Sequence, residues 1–235
     1  MKKIIIQEQL FEMYPDFYRG VVVVKTLTNR PSYKRIRKLL KKQIDQRVGM
    51  DFANDPRLQA WDAAHKKFGS SPKSYMPSIK SLLKRIQSNP ALPFINSAVA
   101  LFNYISLKYC LPCGGDDIAA IQGDLVLGLA DGSETFRALG SEKTEHPKPG
   151  EVIYFDSANK NVMCRRWNWR NGDSTKIEPS SRFLVINIDC LPPITREIGN
   201  QARDELAALL QEHCQAEVTT GGLAKDCRDY ELPQL

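Results

Sequence analysis

The sequence predicts an α+β fold, and three observations carry that reading. Helical periods dominate the first 110 residues, short β-type runs separated by Asp-Gly, Pro-Gly and Asn-Gly dominate the stretch after 116, and one long helical period follows. A chain of 235 residues buries a real core without a metal or disulfide staple, and its length fits one domain spanning residues 1–235.

Taken in order, residues 4–6 and 20–26 read as strands, the second continuously apolar through Val21–Val24 and therefore buried. Ile36, Leu39, Leu40, Ile44 and Val48 recur at helical spacing, which predicts a helix over 32–48 with Ser32 as its N-cap. A second helix reads over 56–67. Ile79, Leu82, Leu83 and Ile86 predict a third over 78–88, preceded by Pro77 and stopped before Asn89-Pro90. Asn96–Tyr109 reads as a mostly apolar helix ended by Cys110-Leu-Pro-Cys-Gly-Gly. Strands are expected at 124–130, 135–139, 151–155, 161–166 and 182–190. Ile198, Ala202, Leu206, Leu209 and Leu210 then mark a closing helix over 195–214, and the polar tail after 215, with Gly221-Gly222, is expected to be poorly ordered.

Composition excludes several classes. No apolar run approaches the roughly 20 residues of a membrane span, and the opening Met-Lys-Lys-Ile-Ile-Ile meets Gln7 and Glu8 too soon for a signal-peptide core. Six cysteines without a dense framework fit reduced thiols, so a cytoplasmic location is expected. Cys110 and Cys113 form a C-x-x-C with no second pair or nearby His pair, so no metal is expected. There is no G-x-S-x-G elbow and no phosphate-binding glycine loop, which disfavours a serine nucleophile, ATP chemistry and dinucleotides. No cofactor is expected.

Charge is unevenly spread. Residues 1–90 carry 19 Lys/Arg against 7 Asp/Glu, a net of +12, whereas residues 91–235 carry 14 against 20, a net of −6. The basic residues gather on two predicted amphipathic helices, including Arg35, Lys38 and Lys42 on the first and Lys84 on the second, with Tyr75 nearby. That pattern fits a solvated helix face, or a polyanionic partner such as RNA.

Two polar clusters carry potential chemistry: Asn103, Ser106 and Gly114-Gly115-Asp116-Asp117, and the stretch from Arg165 to Lys176. Alternating aromatic and polar residues in the second predict a strand with Trp on one face and Arg and Asn on the other. Asn and Arg hold carbonyl or phosphate oxygens, Trp walls a pocket, and Asp orients a donor. The competing reading is a structural corner in which the Trp rings fill core and Asp173 pairs with an arginine.

The ordered set of motifs resembles the B3/B4 domain, the editing module of the bacterial phenylalanyl-tRNA synthetase β subunit, and in particular free-standing proteins built from that domain. The resemblance rests on Pro72-Lys-Ser-Tyr-Met-Pro-Ser-Ile-Lys-Ser-Leu-Leu-Lys-Arg, Asn96, Asn103-Tyr-Ile-Ser-Leu-Lys-Tyr-Cys-Leu-Pro-Cys-Gly-Gly-Asp-Asp-Ile, Ile121-Gln-Gly-Asp, Glu134-Thr-Phe, Pro149-Gly-Glu-Val-Ile-Tyr-Phe-Asp and Cys164-Arg-Arg-Trp-Asn-Trp-Arg, and covers roughly residues 15–190. It implies a deacylase acting in trans on mischarged tRNA, of the tyrosyl or canavanyl type. It also implies the aminoacylated 3′ end of tRNA as partner, with no DNA and no membrane, and hydrolysis by oriented water rather than by a strong side-chain base.

Carried onto this chain, the catalytic candidates are Asn103, Gly114, Gly115, Asp117, Glu134 and Asn168. The substrate-binding candidates are Ser106, Asp116, Arg166, Trp167, Arg170, Asp173 and Thr175, and Arg35, Lys38, Lys42 and Lys84 meet RNA phosphates. Gly114 stands where the synthetase module has a histidine, and residues 183–190 offer no counterpart of its late glutamate. Both help read the tyrosine hydroxyl, so a cationic side chain becomes the competing substrate, with Asp116, Asp117, Glu134 or Asp173 as its carboxylate. A non-catalytic RNA-binding module and a small-molecule esterase are the alternative functions.

Overall fold

The structure, a computed structural model, describes residues 2–233. Its first part contains β1 (Lys3–Ile6), α1 (Glu8–Met13), β2 (Tyr18–Thr26), α2 (Lys34–Arg47), α3 (Pro56–Lys67), α4 (Ser78–Ser88) and α5 (Ser97–Tyr109). The middle supplies β3 (Cys113–Asp117), a 3-10 turn at Ile118–Ala120, β4 (Leu125–Leu129), β5 (Phe136–Arg137), β6 (Thr144–Glu145), β7 (Val152–Asp156), β8 (Val162–Arg165), β9 (Arg170–Asn171) and β10 (Leu184–Cys190). Then come α6 (Arg196–Cys214), β11 (Glu217–Leu223) and β12 (Asp229–Glu231).

The strands form two main sheets. One runs β12-β1-β4-β7-β8-β9 with only the β1–β4 pair parallel, and the other runs β11-β2-β10-β3, antiparallel throughout. The apolar run Val21–Val24 occupies a central strand of the second sheet and is buried on both faces, as its lack of alternation requires. One face meets α6, and the other meets the first sheet, where the Arg19 guanidinium lies 4.9 Å from the Tyr154 ring centre. Asp55 caps α3 ahead of Pro56, Asn96 caps α5, and Thr195 caps α6, each accepting a first-turn N–H. A single apolar cluster links all six helices to both sheets, from Ile4 to Leu232.

Three expectations need correction. The polar tail is ordered over its described length: Glu217–Leu223 pairs along β2 and Asp229–Glu231 pairs with β1, while Pro233 is the last described residue and 234–235 lie outside. Gly221 and Gly222 signal close packing there, because a side chain at either would strike the Tyr230 or Tyr18 ring. The stretch from Arg165 is no continuous strand; Arg166 and Trp167 both take left-handed backbone, with φ of 48° and 66°, and turn the chain from β8 into β9. The cap of α2 is Tyr33, one residue after the expected Ser32. The expected helix stop at Cys110–Gly115 leads straight into an edge strand, Cys113–Asp117, since pairing with β10 replaces the missing β propensity. No helix among the described residues is long and apolar enough to cross a membrane.

Candidate functional site

Antiparallel register puts Arg19, Asn187 and Asp189 on one face of the second sheet together with Gly114 and Asp116 of its edge strand. That face closes a cavity of about 170 Å³ against Tyr154, Cys164 and Asn171 of the first sheet. The turn at 166–169 contributes Trp167 and Asn168, and the helices contribute Ser78, Phe102 and Asn103. The cavity therefore sits between the two sheets and is lined mostly by the β-rich half, with Arg19 of β2 and a smaller share from the amino-terminal helices.

Its floor is a buried ion pair. Arg19 donates from Nε to Asp189 Oδ1 at 2.7 Å and from Nη2 to Oδ2 at 2.9 Å, and the Trp167 indole N–H adds a third bond to Oδ2 at 3.1 Å. Burial opposes the Arg19 charge, and Asp189 more than restores it, so the guanidinium stays protonated. Trp167 is itself clasped by Tyr14, Phe17 and Trp61, with ring centres 4.9–5.2 Å away and planes steeply inclined. This clasp and the bond from Trp167 N–H to Val152 O offset the cost, roughly 1–3 kcal/mol per residue, of the two left-handed positions.

The wall carries unsatisfied polarity. Arg19 Nη1, Tyr154 Oη, Asn168 Nδ2 and Asn187 Oδ1 are buried without a hydrogen-bond partner among the described residues. Asn168 is held from behind by His65, whose Nε2 lies 3.2 Å from Asn168 Oδ1, and burial lowers the His65 pKa to about 4, leaving a neutral ring. Asp116 accepts the Thr175 hydroxyl on Oδ1 at 2.6 Å and keeps Oδ2 free; burial raises its pKa to about 6 against the pull of Thr175.

The glycine pair splits cleanly. A Cβ on Gly114 would meet nothing within 4 Å, whereas one on Gly115 would lie 2.7 Å from the Val185 carbonyl oxygen and 3.0 Å from Ile186 Cγ1. Gly115→Ala is therefore expected to destabilise the fold by roughly 1–3 kcal/mol, read as a lower urea midpoint at unchanged slope. An unchanged midpoint would show that the β3–β10 edge yields more easily than its packing implies.

A second, wider groove of about 400 Å³ adjoins the cavity and shares Ser78, Asn103 and Cys113 with it. Ser81, Leu82, Arg85, Ser106 and Trp169 complete its lining.

Of the sequence-predicted residues, Asn103, Gly114, Gly115, Asp116, Trp167 and Asn168 converge on the cavity, and Thr175 supports it through Asp116. Ser106 lines the outer groove while its hydroxyl donates to Leu111 O. The others have duties elsewhere. Asp117 caps the 3-10 turn, Glu134 accepts the Asp131 and Gly132 N–H groups, and Asp173 pairs with Arg137 and Lys176. Arg166 stacks 3.5 Å from the Tyr75 ring centre, and Arg170 is exposed beside Trp169. Arg35, Lys38, Lys42 and Lys84 are exposed on α2 and α4. Cys110 and Cys113 are free thiols, one ending α5 and the other opening β3.

Sequence reading missed Arg19, Asn187, Asp189, Tyr154 and Ser78. A signal for three of them was present: a charge beside the apolar run of β2, and Asn and Asp two residues apart in the otherwise apolar Leu184–Cys190. Polar residues sharing one face of a buried strand need a common partner.

The arrangement has known counterparts. The fold is similar to an N-terminal fragment of the phenylalanyl-tRNA synthetase β-subunit from Pyrococcus horikoshii, with a TM-score of 0.51 and 13% identity. The alignment covers 91% of this chain and 49% of that one, so the chain spans about half the length of its structural neighbour. No match is found among curated proteins. The family model of the B3/4 domain matches residues 60–215, about two thirds of the chain and the segment that holds most of the cavity wall, and the chain accordingly belongs to the B3/4 domain family.

Proposed function

We propose that the chain is a trans-acting deacylase that hydrolyses the ester of a mischarged aminoacyl-tRNA. The observation that carries this reading is the inter-sheet cavity itself, small, mostly apolar with a few polar groups set in its wall, and adjoining a wider groove. A cavity of about 170 Å³ matches one amino-acid side chain, for an engineered cavity of about 150 Å³ takes benzene. An aminoacyl ester is already activated, so fixed donors and an oriented water supply the needed catalysis. Family membership and a structural neighbour taken from an aminoacyl-tRNA synthetase support the same substrate class.

The spare carboxylate selects the amino acid. Arg19 and Asp189 neutralise each other, which leaves Asp116 Oδ2 as the uncompensated charge in the wall and favours a cationic side chain of guanidino or amino type. With such a substrate, kcat/KM is expected to rise as pH passes through about 6, and Asp116→Asn to abolish that rise. Stability moves the other way. The unfolded chain releases this proton near 3.8 and the folded chain near 6, so the Asp116 contribution to stability is lost as pH climbs through that window. Asp116→Asn is expected to be more stable than the parent by roughly 1–3 kcal/mol at pH 7 and equal to it below pH 4. Equal stability at both pH values would remove Asp116 from this role.

Exposed basic residues on α2 and α4 supply the RNA contact. Four phosphate contacts from Arg35, Lys38, Lys42 and Lys84 predict a log–log salt dependence of tRNA affinity of about −3, falling by about one for each charge removed. A flat response would exclude this surface. The function itself is tested by offering the protein a panel of misacylated tRNAs. Faster loss of a cationic amino acid than in buffer is expected; tRNA binding without hydrolysis would favour a non-catalytic RNA-binding module.

A further inference from the structure

We infer that the constriction formed by Ser78, Asn103 and Cys113 seats the acyl linkage, with the Ser78 hydroxyl as a hydrogen-bond donor to its carbonyl oxygen. The inference rests on the aminoacyl-ester reading of the cavity and assigns a residue that reading left out. These three residues line both chambers and so stand where the two adjoin. Size fixes the direction. The inner chamber of about 170 Å³ is sized for a side chain, while the outer groove of about 400 Å³ offers Trp169 for a base and Arg85 for a phosphate. With the side chain inward and the nucleoside outward, the ester falls at the constriction.

The groups there are free to act. Neither the Ser78 hydroxyl nor the Asn103 carboxamide has a hydrogen-bond partner among the described residues, and both side chains are only half-buried. Ser78 is nonetheless fixed: its N–H donates to Asn168 O at 2.9 Å, which ties the first residue of α4 to the strained turn. Asn168 is 8% exposed, lines the inner chamber and holds an unpartnered Nδ2. A hydroxyl and two carboxamides lining the chambers supply the kind of donors that a developing oxyanion needs. Cys113 is no competing nucleophile, because burial pushes its thiol well above the usual range.

Calorimetry with a non-hydrolysable analogue, 3′-lysylamino-3′-deoxyadenosine, tests the assignment against adenosine alone. Ser78→Ala is expected to weaken the analogue about five- to tenfold, one hydrogen bond, and to leave adenosine binding unchanged. Ser78→Thr, which keeps the hydroxyl, is expected to retain most of the affinity. An unaffected analogue, or equal losses for analogue and adenosine, would overturn the assignment, as would a wild-type protein that binds neither. If the analogue binds and depends on Ser78 while no aminoacyl-tRNA is hydrolysed, the deacylase reading fails and the seating of the linkage stands. If hydrolysis occurs, Ser78→Ala is expected to lower kcat about 100-fold, the effect of losing one oxyanion donor, with KM little changed.

Discussion

Replacing Arg19 with methionine is expected to cost about 3–5 kcal/mol of folding stability, read from urea denaturation at pH 7. Arg19 and Asp189 are 2% and 6% exposed at the side chain, so the substitution leaves a carboxylate sealed in the core with only the Trp167 N–H as a direct partner. The cost comes from stranding the charge rather than from the worth of the pair. Arg19→Met combined with Asp189→Leu is therefore expected to recover a large part of the loss, although the Trp167 indole N–H then lacks its acceptor. Equal stability of the single variant and the parent would mean that water reaches this floor and that the cavity is wetter than its burial implies.

Gly114→Val is expected to do the reverse, leaving the fold intact and removing activity. Valine favours a strand, and its Cβ enters open space, so stability is expected to hold or to rise slightly. The added methyl groups occupy an inner chamber of only about 170 Å³ and displace the substrate. Misplacement by about 1 Å costs on the order of 100-fold, so deacylation is expected to fall at least that far. The neighbouring Gly115→Ala, whose Cβ points into the β10 backbone, is the matched control with the opposite stability outcome. If Gly114→Val hydrolyses the substrate at the parental rate, the chemistry lies elsewhere on the molecule.

Much of the architecture was legible because local signals determine it. The helices at Pro56–Lys67 and Ser78–Ser88 follow from apolar period and flanking Pro, Asp and Asn residues, all within one or two turns of the chain. Where long-range pairing decides, local signals failed. Cys-Gly-Gly-Asp-Asp becomes a strand only because β10 is beside it, and the Thr-Thr-Gly-Gly segment only because β2 and two tyrosine rings are. Trp167 and Asn168 reached the cavity by a left-handed turn that no alternation pattern encodes.

The site divides along the same line. Asn103, Gly114, Asp116 and Asn168, which line the cavity, lie in the two polar clusters that the sequence displays and in the motifs of the resemblance. The floor was hidden because Arg19 and Asp189 are 170 residues apart and each looks unremarkable in its own strand. Ser78 was hidden because a serine opening a helix reads as a cap, and here its hydroxyl caps nothing.

The most direct test compares deacylation of a tRNA carrying a mismatched cationic amino acid by the wild-type protein and by Gly114→Val, at equal concentration and with equal thermal stability verified. The account predicts hydrolysis well above buffer for the wild type and at least a 100-fold lower rate for the variant. Rates indistinguishable from buffer for both proteins, across the panel of misacylated tRNAs, would contradict it.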